Sequence, residues 1–177
     1  MGTASSLRRL APLGLLAAAT LLVIHELSPA GSGERAGPGA GRVLVARVTR
    51  VVDGDTIEAR LPGGRVVDVR YIGVDTPETV KPGTPVQCYG EAASAFNHRL
   101  LTGRRVRLRV GAEPRDVYGR LLAYVYLGPR FVNAELVRRG LARTLAISPN
   151  TRFAPRLARI EHRAARRGRG LWGACLP

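Results

Sequence analysis

The chain has 177 residues and no internal repeat, which suits one domain with its own hydrophobic core and excludes a repeat array. Its formal net charge at pH 7 is +15, and Lys81 is the only lysine among the basic residues. A balance this basic implies an anionic partner, either nucleic acid or an anionic surface, although an arginine excess beside abundant Ala, Gly and Pro is also what GC-rich codons produce.

In chain order, Arg8 and Arg9 come first and precede an apolar run over residues 10–24. A run of that length matches the core of an export signal, roughly 7–15 residues, and falls short of the about 20 needed to span a membrane. Ser28, Pro29 and Ala30 place small residues for cleavage after Ala30, so residues 1–30 are expected to be a signal peptide. The alternative is an uncleaved N-terminal membrane anchor with Arg8 and Arg9 kept inside. Both readings put the rest of the chain outside the cytoplasm, at the cell surface or beyond it. Residues 31–42 (GSGERAGPGAGR) have no apolar periodicity and read as a flexible linker, which leaves 43–177 as the folded domain.

Residues 43–52 are β-branched and apolar enough for a first strand. A second follows over 56–61, with Ile57, Ala59 and Leu61 on one face. After the turn at Pro62-Gly63-Gly64 a third runs over 66–74. A helix is expected over 89–101, with Ala93, Phe96 and Leu100 on one side and Gly103 as its stop. Residues 105–110 alternate strictly, with Val106, Leu108 and Val110 inward and arginines outward, and 120–126 read as a fifth strand. Helices are expected over 131–139 and 156–167, the latter with Pro155 in its first turn. Three strands, a helix, two strands and further helices is the order of a five-stranded OB-fold β-barrel with helical additions, an α+β arrangement whose face and loops commonly bind oligonucleotides.

Several chemistries are missing. His25, His98 and His162 are scattered, Cys88 and Cys175 are far apart, and no zinc site, nucleophile elbow or phosphate-binding Gly-Lys loop can be assembled. Two acidic clusters remain. Asp53 and Asp55 lie in Val52-Asp53-Gly54-Asp55-Thr56 between the first two strands, and Asp75 and Glu78 lie in Asp75-Thr76-Pro77-Glu78 after the third. In a meander the start of strand two and the end of strand three share one end of the sheet, so Asp55 should approach Asp75. Two carboxylates and a backbone carbonyl are hard oxygen ligands suited to Ca²⁺ or Mg²⁺. Each cluster alone is also an ordinary turn or helix-start sequence. Arg70 and Arg120 stand in recognisable runs, and an arginine's planar fork suits phosphate.

These runs resemble the staphylococcal nuclease (thermonuclease) family. The matching segments are VVDGDTI at 51–57, VRYIGVDTPET at 69–79, YGEAASAF at 89–96, DVYGRLLAYVY at 116–126, FVNAELVRRGLA at 131–142 and GLW at 170–172. The resemblance implies an OB-fold barrel that binds one Ca²⁺ and hydrolyses DNA and RNA with little base specificity, leaving 3′-phosphate products. It implies metal ligation by Asp55, Asp75 and the Thr76 carbonyl, with Asp53 in the outer shell. It further implies catalytic roles for Glu78, as base or water-positioner, and for Arg70 and Arg120, and contact of Tyr118 with substrate. The family suggests a monomer, and no protein partner is inferred. Two tyrosines that contact nucleotide in the family prototype are replaced here by Ala146 and Ser148, and a lysine by Val117. A non-catalytic OB module that binds nucleic acid at the cell surface is the alternative, although it would not need Asp55, Asp75, Glu78, Arg70 and Arg120 together. A basic protein of the membrane surface or cell wall would explain the charge and the export signal but not the acidic clusters.

The family prototype is cysteine-free, so the resemblance says nothing of Cys88 and Cys175. Two cysteines in an exported chain meet an oxidising compartment and are expected to form a disulfide.

Overall fold

Apolar and arginine side chains alternate strictly over residues 105–110, and the strand they form buries Val106, Leu108 and Val110. The computed structural model describes residues 1–2, 40–79, 83 and 85–175. The expected signal segment, its cleavage point and most of the linker lie outside the described residues. The elements in order are β1 (Val43–Val51), β2 (Thr56–Arg60), β3 (Val66–Tyr71), β4 (Val74–Asp75), α1 (Gly90–Leu101), β5 (Arg105–Arg115), β6 (Leu121–Leu127), β7 (Arg130–Phe131), α2 (Val132–Arg138), β8 (Arg143–Thr144), α3 (Ala154–Ala165) and α4 (Leu171–Ala174).

Antiparallel pairing runs β3-β2-β1-β5-β6, and β3 then pairs in parallel with β6, from Val69 opposite Leu121 to Tyr71 opposite Ala123. The five strands thus close into an OB-type barrel through this three-residue seam. Its interior is filled by Ile57, Ala59, Val69, Leu108, Ala123 and Val125, all fully buried. In β1 the register slips between Val48 and Arg50, so Thr49 has no residue opposite it on β2. This bulge shifts the alternation by one residue and turns Val51 inward just before the Asp53-Asp55 turn.

Three expectations need correction. The third strand does not run unbroken over 66–74. It stops at Tyr71, because Gly73 takes a left-handed φ of 80°, although the Ile72 N–H, donated to the Ala123 carbonyl, still belongs to the ladder with β6. A side chain at Gly73 would also meet Leu157 Cδ1 at 2.7 Å. Val74 and Asp75 therefore leave the barrel and pair with β8. The fourth strand, expected to end at Val110, continues to Arg115 through an irregularity between Val110 and Arg115. Gly111 there lies against Asn150, so close that a Cβ could not be accommodated. On α1 the fully buried stripe is Gly90, Ala93, Asn97 and Leu101, with Phe96 and Leu100 at its margin. An asparagine at the centre of the buried face displaces the apolar stripe expected from pattern alone.

A second buried asparagine pins the break. Asn133 on α2 accepts from the Val125 N–H at 2.9 Å and donates to the Ile72 carbonyl at 2.8 Å. It satisfies backbone groups that the interrupted sheet would otherwise leave unpaired in the core.

Cys88 and Cys175 form the expected disulfide, with Cα atoms 5.8 Å apart and 87 residues of separation. It fastens the segment after α4 to the start of α1. Loop-closure entropy alone stabilises the fold by up to about 4.5 kcal/mol for a loop of this size. Replacing both cysteines by serine should lower the urea midpoint markedly, and reductant should shift the native chain by a similar amount. Coincident unfolding curves in all three cases would mean that the bridge contributes nothing to stability.

Candidate active site

The turn between β1 and β2 is closed by backbone bonds from the Val52 and Asp53 N–H groups to the Thr56 carbonyl, at 3.0 and 3.3 Å. Asp53 Oδ1 accepts the Asp55 N–H at 2.9 Å, a local Asx-type bond that fixes the turn. The turn then lies directly on Thr76. A Cβ on Gly54 would sit 2.7 Å from Thr76 Oγ1, so only glycine allows this approach.

Asp55 is 1% exposed, and its lone pairs are shared out. Oδ2 accepts from the Thr76 N–H at 2.7 Å and from Thr76 Oγ1 at 3.0 Å. Oδ1 accepts from Thr56 Oγ1 at 3.3 Å and forms an ion pair with Arg70 Nη1. The other terminal nitrogen of Arg70 reaches Asp75 Oδ1 at 2.7 Å. One guanidinium therefore sits between two carboxylates, one from the β1–β2 turn and one from β4, Asp75 having been turned out of the barrel at Gly73. Burial raises the Asp53 carboxyl above its ordinary value, an effect opposed by the nearby Arg70 charge and by bonds from Thr56.

Glu78 lies farther along the same segment. Its Oε1 accepts the Thr79 N–H at 2.9 Å. Gln87 brackets its backbone, accepting the Glu78 N–H and donating to the Glu78 carbonyl, each at 2.9 Å. Arg120 is aimed by Asp116, whose Oδ2 accepts from Arg120 Nε at 2.7 Å while Oδ1 accepts the Tyr118 and Arg120 N–H groups at 3.0 Å.

Asp53, Asp55, Arg70, Asp75, Thr76, Glu78 and Arg120 line one polar cavity of about 180 Å³. Tyr118 stands outside it, in a larger, mostly apolar hollow of about 610 Å³ that shares Arg70 and Arg120 with the first. Ser148 lines that hollow beside Leu145 and Ile147. Among the described residues, no three acidic, histidine or cysteine side chains are preassembled as a metal cage. The donor set nevertheless fits a hard cation. Asp55 and Asp75 already converge on one positive charge, and every donor on the acidic side of the cavity is oxygen.

Pattern reading missed the residues that hold this centre in place. Asn97, fully buried on α1, accepts from the Tyr71 hydroxyl at 3.1 Å and donates to the Asp53 carbonyl at 2.9 Å. The available signal was a polar residue amid an apolar helix face. Asp116, four residues before Arg120, and Gln87 were likewise legible only as turn or loop residues.

Comparison with known proteins gives a consistent picture. Residues 68–174 match the family model described as staphylococcal nuclease homologue. The thermonuclease of Staphylococcus hyicus is 40% identical over 158 residues, covering 89% of this chain and 93% of that protein. The thermonuclease of Staphylococcus intermedius is 48% identical over 125 residues, covering 71% of this chain and 74% of its own length. Endonuclease YncB of Bacillus subtilis (strain 168) is 41% identical over 133 residues, 74% of this chain and 63% of that protein.

Asn97→Leu would leave the Asp53 carbonyl and the Tyr71 hydroxyl without their buried partner. The expected loss is at least about 2 kcal/mol of stability, with reduced activity because the Asp53-Asp55 turn loses its tie to α1. A variant with wild-type stability and turnover would remove Asn97 from this role.

Proposed function

Because this chain belongs to the staphylococcal nuclease family, and so is a nuclease that hydrolyses phosphodiester bonds, we propose that it is an exported, calcium-dependent enzyme that cuts DNA and RNA with low sequence specificity. One observation carries this reading. The carboxylates of Asp55, Asp75 and Glu78 and the guanidiniums of Arg70 and Arg120 all line the same small polar cavity. A module that only bound nucleic acid would have no use for that acidic cluster beside two phosphate-reading arginines.

Asp55, Asp75 and the Thr76 carbonyl would hold Ca²⁺, with Asp53 behind them, and the bound ion would supply charge neutralisation at the scissile phosphate. Arg70 and Arg120 donate to the non-bridging phosphate oxygens, and these bonds tighten as negative charge builds in the transition state. Glu78 orients a water and takes its proton for in-line attack on phosphorus. The bond from phosphorus to the 5′-oxygen breaks, that oxygen takes up a proton from solvent to become a 5′-hydroxyl, and a 3′-phosphate remains. Tyr118, flanking Arg120 with its ring centroid 5.4 Å from the guanidinium, contacts the bound nucleotide. With Ala146 and Ser148 beside an aliphatic Leu145 and Ile147, base stacking is weak, which favours indifference to base identity.

Export rests on Arg8, Arg9 and the apolar run at 10–24, and the Cys88–Cys175 bridge supports it, since such bonds persist in oxidising compartments. The catalytic domain is taken as residues 43–177, acting as a monomer after a signal or anchor at 1–30 and a linker at 31–42.

Two experiments test the reading. Plasmid cleavage should require Ca²⁺, at roughly 10⁻⁴–10⁻³ M for a site with so few protein carboxylates, and should stop in EDTA. Full activity in EDTA, or equal activity with Mg²⁺ alone, would refute the metal site. Arg70→Lys or Arg120→Lys keeps the charge but loses the planar fork, and each should lower kcat by at least about 10²-fold. Glu78→Gln should lower kcat with much less effect on substrate affinity. A change confined to KM would make these residues substrate holders instead of catalytic groups.

A further inference from the structure

Outside the catalytic cavity, an arginine-rich groove of about 630 Å³ lies between α1 and the end of α2, continued by the residues leading into α4. Its walls carry Arg99, Arg138, Arg139 and Arg169 together with Tyr89 and Phe96. The catalytic chemistry uses none of them.

The groove is fixed in shape. Glu135, 11% exposed, accepts from Arg138 Nε at 3.0 Å and from Arg139 Nε at 2.6 Å, so one carboxylate holds two adjacent guanidiniums. Burial alone would raise the Glu135 carboxyl, but hydrogen bonds from these arginines outweigh it and keep the group below its ordinary value, hence ionised at neutral pH. The Arg139 guanidinium also lies 4.8 Å from the centre of the Phe96 ring, which holds the arginine against α1. The far wall is locked by backbone. Gly140 and the Arg169-Gly170 segment are in direct contact, and Leu171 donates its N–H to the Gly140 carbonyl at 2.9 Å. With four arginines against one carboxylate, the surface stays strongly positive.

One end of the groove packs beside the catalytic segment. Tyr89, at its near end, precedes Gly90, and a Cβ on Gly90 would stand 2.9 Å from the Glu78 carbonyl and 3.1 Å from that of Pro77. The backbone that carries Glu78 is thus packed directly against the residue that follows the groove's Tyr89. Arg139 covers the Phe96 ring, and four guanidiniums against two aromatic rings suit phosphates better than bases.

We propose that this groove is a second nucleic-acid subsite, which binds the phosphodiester backbone of a long strand beyond the cleaved bond. The subsite rests on the reading that Glu78 marks the catalytic centre. It gives affinity for long substrates and contributes nothing to the chemical step. The same anionic chemistry could come from lipid headgroups, but the packing of the groove's near end against the backbone of Glu78 favours the strand.

The test compares the wild type with Arg99→Ser/Arg169→Ser, which leaves the Glu135 clamp intact, and with Arg60→Ser/Arg65→Ser, which removes equal charge from the β2–β3 hairpin. Substrates are long single-stranded DNA and a trinucleotide. For the groove variant, KM on the long strand should rise about tenfold, the scale of one charge-assisted hydrogen bond, with kcat unchanged and the trinucleotide kinetics unaltered. The dependence of log affinity on log salt should become shallower by about 1.4, from roughly 0.7 for each phosphate that is no longer neutralised. The hairpin variant should change neither. Anisotropy of a labelled long oligonucleotide in EDTA reads the same loss of binding without turnover, so failure of the catalytic reading is distinguishable from failure of the groove. An equal defect on both substrates, an equal defect in the hairpin variant, or an unchanged KM and salt slope would overturn the proposal. So would unchanged strand binding combined with lost binding to phosphatidylglycerol–phosphatidylcholine vesicles, which would assign the face to a membrane surface.

Discussion

A carboxylate that is almost wholly buried must have every lone pair answered, and Asp55 sets that demand at the centre of this molecule. Its partners come from three places in the chain: Thr56 beside it, Arg70 on β3, and the backbone and hydroxyl of Thr76 beyond β4. Meeting the demand therefore fixes the β1–β2 turn, the exit from the barrel and the approach of the Asp75-Glu78 segment to one another. Gly54 is the steric condition for that meeting, since any side chain there would push Thr76 away.

The barrel makes the meeting possible by being interrupted. An unbroken third strand would have carried Val74 and Asp75 onward along the sheet. The left-handed turn at Gly73 instead hands them to β8, so Asp75 faces Arg70 from a separate ladder. Two buried asparagines limit what the interruption costs. Asn133 satisfies backbone groups freed at Ile72, and Asn97 carries a hydrogen bond from the Asp53 turn through α1 to the Tyr71 hydroxyl. Burial raises the Tyr71 hydroxyl's pKa, so it remains a neutral donor.

Much of this was legible in the sequence because its signals are local. Strict alternation at 105–110 and the turn at Pro62-Gly63-Gly64 define strands by period and punctuation, and the acidic and arginine runs identify themselves by order and spacing. The rest depends on tertiary contact. Val74 prolongs an apolar run after Ile72, and the local signal of a break is a lone glycine, Gly73, whose exclusion of any side chain depends on Leu157, far along the chain on α3. Asn97 interrupts an apolar face in a way that pattern reading treats as an error, although it is the residue that joins α1 to the Asp53 turn. The extension of β5 past Val110 depends on Asn150 lying against Gly111 and bonding to both the N–H and the carbonyl of Glu113.

The bridge from Cys88 to Cys175 makes the second half of the domain a covalent ring, holding α1, β5, β6, α2 and α3 between its two sulfurs. A single peptide cleavage anywhere inside that ring opens it without releasing a fragment. The severed ends stay attached through the sulfurs, and the barrel strands inside the ring can keep their partners on β1 and β3. Loss of a piece requires two cuts, or one cut together with a reductant, so nicking and dissociation become separate events for this enzyme.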